Sequence, residues 1–156
     1  MKKDKFTFIK IFRGLCAVGL GMSGIGLLIG FFLIIISLIS RDNSIIFSSA
    51  IHNLISNIEI FILSLFSWKI CTSILSNVIF NIINIKRIRI IGATMITYGA
   101  IDLFYFVLKH FDILNSTNNT IRFTQGGELI AGVIVLALAE IFKIGFEIKK
   151  ENELTV

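Results

Sequence analysis

From Gly14 to Ser40 the chain runs for twenty-seven residues without one charged side chain. Its few polar positions are single and scattered, with neither the strict alternation of a strand nor the polar face of a surface helix. A helix that is apolar all round belongs in a protein core or in lipid. Three further stretches repeat the pattern at about Asn53–Leu75, Ile90–Leu108 and Glu128–Phe146. A helix needs about 20 apolar residues to cross a hydrocarbon layer about 30 Å thick, and each stretch meets that length. The pattern therefore predicts four spans, at about 14–40, 53–75, 90–108 and 128–146. An inner loop at 76–89 and an outer loop at 109–127 would complete one integral membrane domain over residues 1–156. The first span is longer than crossing requires, so it is expected to tilt. It also far exceeds the 7–15-residue core of a cleaved signal peptide, and reads as a permanent helix.

Composition agrees. The chain is 55% apolar and 16% charged, with fifteen Phe and a mean hydropathy of +0.89. A soluble domain is about 45–50% apolar and about 25% charged. Proline is absent, so no helix has to carry a proline kink.

The net charge of +5 suggests nucleic acid until the cations are placed. Lys2, Lys3, Lys5, Lys10 and Arg13 precede or open the first span. Lys86, Arg87 and Arg89 lie between the second and third, and Lys143, Lys149 and Lys150 lie at or beyond the end of the fourth. Only Arg41, Lys109 and Arg122 fall on the opposite side, with Lys69 inside a span. Basic residues accumulate on the cytoplasmic side of membrane proteins. The expected architecture is an all-α, four-helix transmembrane bundle with both termini cytoplasmic, and direct nucleic-acid binding is not expected.

Little in the chain resembles catalytic chemistry. No nucleophile–base pair, HExxH motif or phosphate-binding glycine loop occurs, so no catalytic residue, metal or cofactor is expected. Cys16 and Cys71 sit in apolar stretches and act as small hydrophobes. His52 and His110 stand at separate span edges without obvious ligand partners. The outer-loop segment 112–124 matches the glycosylation pattern at Asn115 and Asn118, which carries no weight.

The informative residues are the ionisable ones within spans: Glu59, Lys69, Asp102 and Glu140. A charge at mid-membrane costs roughly 2.5–3.5 kcal/mol, whereas each Leu or Ile recovers only about 0.3–0.6. Such residues therefore mark a specific partner or a function. Matching heights predict a Lys69–Glu140 ion pair with Asp102 as a third member, and place Glu59 near Lys109 and His110. Helix tying, a proton or ion relay and snorkelling to the interface all remain open. A second association device is the face Gly19, Ser23, Gly26 and Gly30, at i, i+4, i+7 and i+11. It suits close packing within the bundle, or a homodimer seam through Gly26-x-x-x-Gly30.

Between spans two and three, Asn77, Asn81 and Asn84 recur at i, i+4 and i+7 before the basic group. This predicts an amphipathic helix lying on the inner interface, as a lipid anchor or a docking surface. Phe80, Asn84, Ile88-Arg89 and Ile91-Gly92 resemble the pattern F-x-x-x-N-x-x-x-[LI]-R-x-[LI]-G. The ending Leu136-Ala137-Leu138-Ala139-Glu140-Ile141-Phe142, followed by Glu151-Asn152-Glu153-Leu154-Thr155-Val156, adds a more specific match. Together they resemble the YoaS-like family of small bacterial membrane proteins, with Glu153 where that family more often has Asp. The resemblance implies four transmembrane helices in the cytoplasmic membrane and no established enzymatic activity. It also implies a candidate partner, since members are often encoded beside a small Cro/CI-type helix-turn-helix regulator.

Two functions are expected from this reading. One is a non-enzymatic membrane regulator that holds such a protein through Arg87, Arg89 and the ELTV ending, whose apolar terminus Val156 is suited to capture by backbone amides. The other is a small transporter or immunity-type protein working through Glu59, Asp102 and Glu140.

Overall fold

The computed structural model describes residues 6–39, 44–110 and 127–154. They form four helices: α1 (Thr7–Ile39), α2 (Ser44–Leu75), α3 (Ile82–His110) and α4 (Gly127–Leu154). All four are long and apolar enough to cross a membrane. In hydrocarbon every backbone N–H and C=O must find an internal partner, which holds even these Ile-rich segments helical. Residues 1–5, with Lys2, Lys3 and Lys5, residues 40–43, with Arg41, residues 111–126, with Arg122, and Thr155 and Val156 lie outside the described residues. So do the side chains of Lys109 and His110.

Each helix packs antiparallel on its neighbour in the chain: α1 on α2, α2 on α3, and α3 on α4. No other helix pair comes into contact among the described residues. The arrangement is thus serial, and differs from a closed bundle in which α1 would also meet α4. It brings the start of α1, the α2–α3 connection and the end of α4 to one end of the molecule, here called the turn end.

Small residues set the approach in both outer pairs. On α1, Cys16, Ser23, Gly30 and Ser37 are buried at seven-residue intervals, the repeat of a left-handed helix crossing. A Cβ on Gly19 would meet the Ser64 hydroxyl, and one on Gly26 would collide with the Asn57 amide. Gly30 faces Leu54. The small-residue face predicted on α1 is therefore occupied by α2 of the same chain. On α3, Gly92 stands against Gly132 of α4, where an added Cβ would lie 2.9 Å from the Gly92 carbonyl oxygen. Gly99 opposes the backbone nitrogen of Leu129.

The inner connection is a tight turn over 76–81, and α3 already begins at Ile82. The predicted interfacial helix is thus divided between this turn and the first turns of α3. The asparagines that suggested it serve three other purposes. Asn77 takes the left-handed conformation, with φ at 60°, which Asn tolerates at a helix end. Its N–H donates to the Ile74 carbonyl and that of Val78 to the Ser73 carbonyl, closing α2 in a Schellman motif. Asn81 caps α3, its Oδ1 accepting from the Ile83 N–H at 3.1 Å. Asn84, 2% exposed, fills the inside of the turn.

Candidate functional site

The turn end contains most of the sequence motif. Asn84 Nδ2 donates to Ser73 Oγ at 2.9 Å and to the carbonyls of Val78 and Ile79 at 3.0 and 3.1 Å. Arg87 Nη1 donates to Asn84 Oδ1 at 3.0 Å and to the Lys69 carbonyl at 3.1 Å. Arg87 and Asn84 thereby staple the end of α2 to the start of α3. Arg89 points the other way, its Nη2 donating to Glu140 Oε1 on α4 at 2.6 Å. Phe80 packs on Phe142, with ring centroids 5.7 Å apart, and against Gly145. Gly92 belongs to the α3–α4 crossing described above.

The expected Lys69–Glu140 pair is therefore replaced by Arg89–Glu140. Lys69 lies on α2, which does not touch α4, so matching height alone could not bring the two together. Its Nζ instead sits 5.6 Å from the Phe66 ring centroid, beside a hollow of about 370 Å³ lined by Trp68, Thr72, Ser76 and Arg87. Asp102 is not a third member of this group and lies toward the opposite end.

Beyond Gly145, α4 continues for nine residues, about 14 Å at 1.5 Å per residue. This extension forms a groove of about 620 Å³ with the turn, lined by Phe80, Gly145, Ile148, Lys149, Asn152 and Glu153. Ile148 and Leu154 are exposed on it, as are Glu151 and Asn152. Lys143–Glu147 and Lys149–Glu153 form i,i+4 pairs along it, at 3.8 and 3.7 Å.

A second constellation lies toward the other end. Glu59 is buried at 6% exposure, and the carboxyls of Glu128 and Asp102 act on it through space. Asp102 Oδ1 is 3.9 Å from His52 Nε2. The His52 ring lies over Tyr105, centroids 5.4 Å apart, and near Tyr98 at 6.4 Å. Tyr98 hydrogen-bonds the Ser56 side chain. Of this group only Glu59 and Asp102 were anticipated; His52, Ser56, Tyr98, Tyr105 and Glu128 were not. The available signal was spacing: His52, Ser56 and Glu59 stand at i, i+4 and i+7 on α2, and Tyr98, Asp102 and Tyr105 repeat that spacing on α3. Among the described residues, no three His, Cys, Asp or Glu side chains are placed to share a metal ion.

Four long apolar helices, packed in sequence through small residues and tied by buried polar groups, define a multi-pass helical membrane protein. The chain belongs to the family described as protein of unknown function (DUF2975), whose model matches residues 50–156. The match covers both polar constellations and leaves α1 outside. No curated protein and no solved structure matches the chain.

Proposed function

We propose that this protein is a non-enzymatic regulator in the bacterial cytoplasmic membrane, which holds a small Cro/CI-type helix-turn-helix protein at its cytoplasmic turn end. The observation that carries the reading is the groove between Phe80 and the projecting end of α4. It combines exposed apolar side chains, Phe80 and Ile148, with the Lys149–Glu153 charge pair, the composition of a protein-docking rim and core. The likeness to the YoaS-like family, on the motif and ending already described, supports the choice of partner. The basic residues of the turn end support its cytoplasmic side.

This reading moves the contact surface away from Arg87 and Arg89, which are engaged within the fold, and onto Phe80, Ile148, Asn152 and Glu153. Affinity purification from native membranes in mild detergent tests it. A small helix-turn-helix protein should accompany the wild type and be lost from Ile148→Asp, while membrane insertion stays unchanged. Equal recovery with both forms would remove the groove from the account.

The alternative of a small transporter or immunity-type protein draws on Glu59 and Asp102, which share one constellation. Glu140 does not contribute to it, because it pairs with Arg89 at the turn end. Loss of activity in Asp102→Asn at normal expression would favour this alternative.

A further inference from the structure

The stripes His52–Ser56–Glu59 on α2 and Tyr98–Asp102–Tyr105 on α3 face each other in antiparallel register. His52 meets Asp102 and Tyr105, and Ser56 meets Tyr98. The His52 side chain is 31% exposed and that of Asp102 17%, while Glu59 is buried. Glu59 makes no hydrogen bond or ion pair among the described residues. The charged groups that act on it, Asp102 and Glu128, are themselves carboxyls. Among the described residues, the basic side chain of the group is His52, which stands against Asp102. No titratable side chain faces Glu59 from α1, which carries none between Cys16 and its end at Ile39.

Glu59 is 6% exposed as a residue, though its carboxyl oxygens are not fully enclosed. Ionising a carboxylate so poorly hydrated is costly, a second carboxylate nearby adds to that cost, and binding a proton relieves both. Chains of Asp, Glu and His within a membrane are suited to carrying protons, and the test below separates a proton from a metal cation. The line also ends at Glu59. Toward the turn end the next titratable residues are Lys69 on α2, Arg89 on α3 and Glu140 on α4. On α2 this leaves about 15 Å of helix without such a group.

We propose that the paired stripes form a proton-binding site, open toward the end of the molecule away from the turn, with Glu59 as the terminal acceptor and Asp102–His52 as its entry. A proton from bulk water adds to a Glu59 carboxylate oxygen, cancels one negative charge, and leaves by the same route. The site binds and releases protons on one side and does not conduct them across. It stands independently of the docking groove, and its test needs no partner.

The test is infrared difference spectroscopy on the full chain in lipid nanodiscs, following the carboxylic-acid C=O band through a pH titration. The wild type should show such a band at mildly acidic pH, lost on alkalinisation and shifted in D2O. The band should vanish in Glu59→Gln, persist in Glu140→Gln, and exchange several-fold more slowly with D2O in Asp102→Asn. Should Glu59→Gln fail to insert, Glu59→Asp carries the same assignment, because it should move the band without removing it. A wild type without the band, or a band unchanged by both Glu59 variants, would overturn the proposal. Loss of the band on exchanging K+ for Na+ at fixed pH would also overturn it, by making the ligand a metal cation.

Discussion

Arg89 and Glu140 meet at 2.6 Å across the α3–α4 crossing, fifty-one residues apart in the chain. With about half of each side chain accessible, the pair lies at the edge of the crossing, where its strength depends on local solvation. Exposed ion pairs in water contribute about 0–1 kcal/mol, and polar pairs between membrane helices average about 0.6. Arg89→Glu and Glu140→Arg should each destabilise the α3–α4 pair. The double swap should recover roughly 0.5–1.5 kcal/mol of that loss. An unfolding titration in mixed detergent micelles, run as a double-mutant cycle, measures the coupling.

Asn84 holds the α2–α3 turn from inside, its two Nδ2 hydrogens shared among three acceptors and its Oδ1 accepting from Arg87. Asn84→Ala takes the side-chain donor from the Ile79 carbonyl and one partner each from the Val78 carbonyl, which keeps the Ser73 hydroxyl, and from Arg87, which keeps the Lys69 carbonyl. The expected loss is about 1–3 kcal/mol, accompanied by faster protease cleavage within 76–81. Ser76→Ala, which removes only an exposed local bond to the Ser73 carbonyl, should leave cleavage near the wild-type rate.

Glycines divide into two classes by what surrounds them. A Cβ on Gly132 would come within 3.0 Å of backbone atoms of α3, whereas Gly21 and Gly24 of α1 face open space. Gly132→Ala should therefore separate α3 from α4 at a cost of about 1–3 kcal/mol, and Gly24→Ala should cost nothing measurable. Detergent-unfolding midpoints of the two variants distinguish these outcomes.

The proposed orientation, with both termini in the cytoplasm, rests on the charge asymmetry of the sequence and has a direct test. A green fluorescent protein fused after Val156 should fluoresce, and alkaline phosphatase at that position should be inactive. Reversed activities would invert the orientation and put the turn end outside.

The four helices were legible because each signal is summed over about 20 residues, which no single substitution obscures. The small-residue face of α1 was equally legible, since a periodic run of Gly and Ser has few other uses in lipid. Charge partners were not. Height along the membrane can be counted from a sequence, but the neighbour relation cannot, and Lys69 lost Glu140 because, among the described residues, α4 packs on α3 alone. Asn77, Asn81 and Asn84 misled for another reason: a helix stop, a helix cap and a turn staple happened to fall at helical spacing. The line ending at Glu59 was half visible, because its charged members drew attention while Ser56, Tyr98 and Tyr105 read as ordinary apolar-span residues.

The central claim, a docking groove at the turn end, is tested most directly by photocrosslinking in living cells. A photoreactive residue at Ile148, on the groove, should capture a small helix-turn-helix protein. The same residue at Leu103, exposed on α3 toward the opposite end, should not. Capture from Leu103 as readily as from Ile148, or from neither position, would contradict the account.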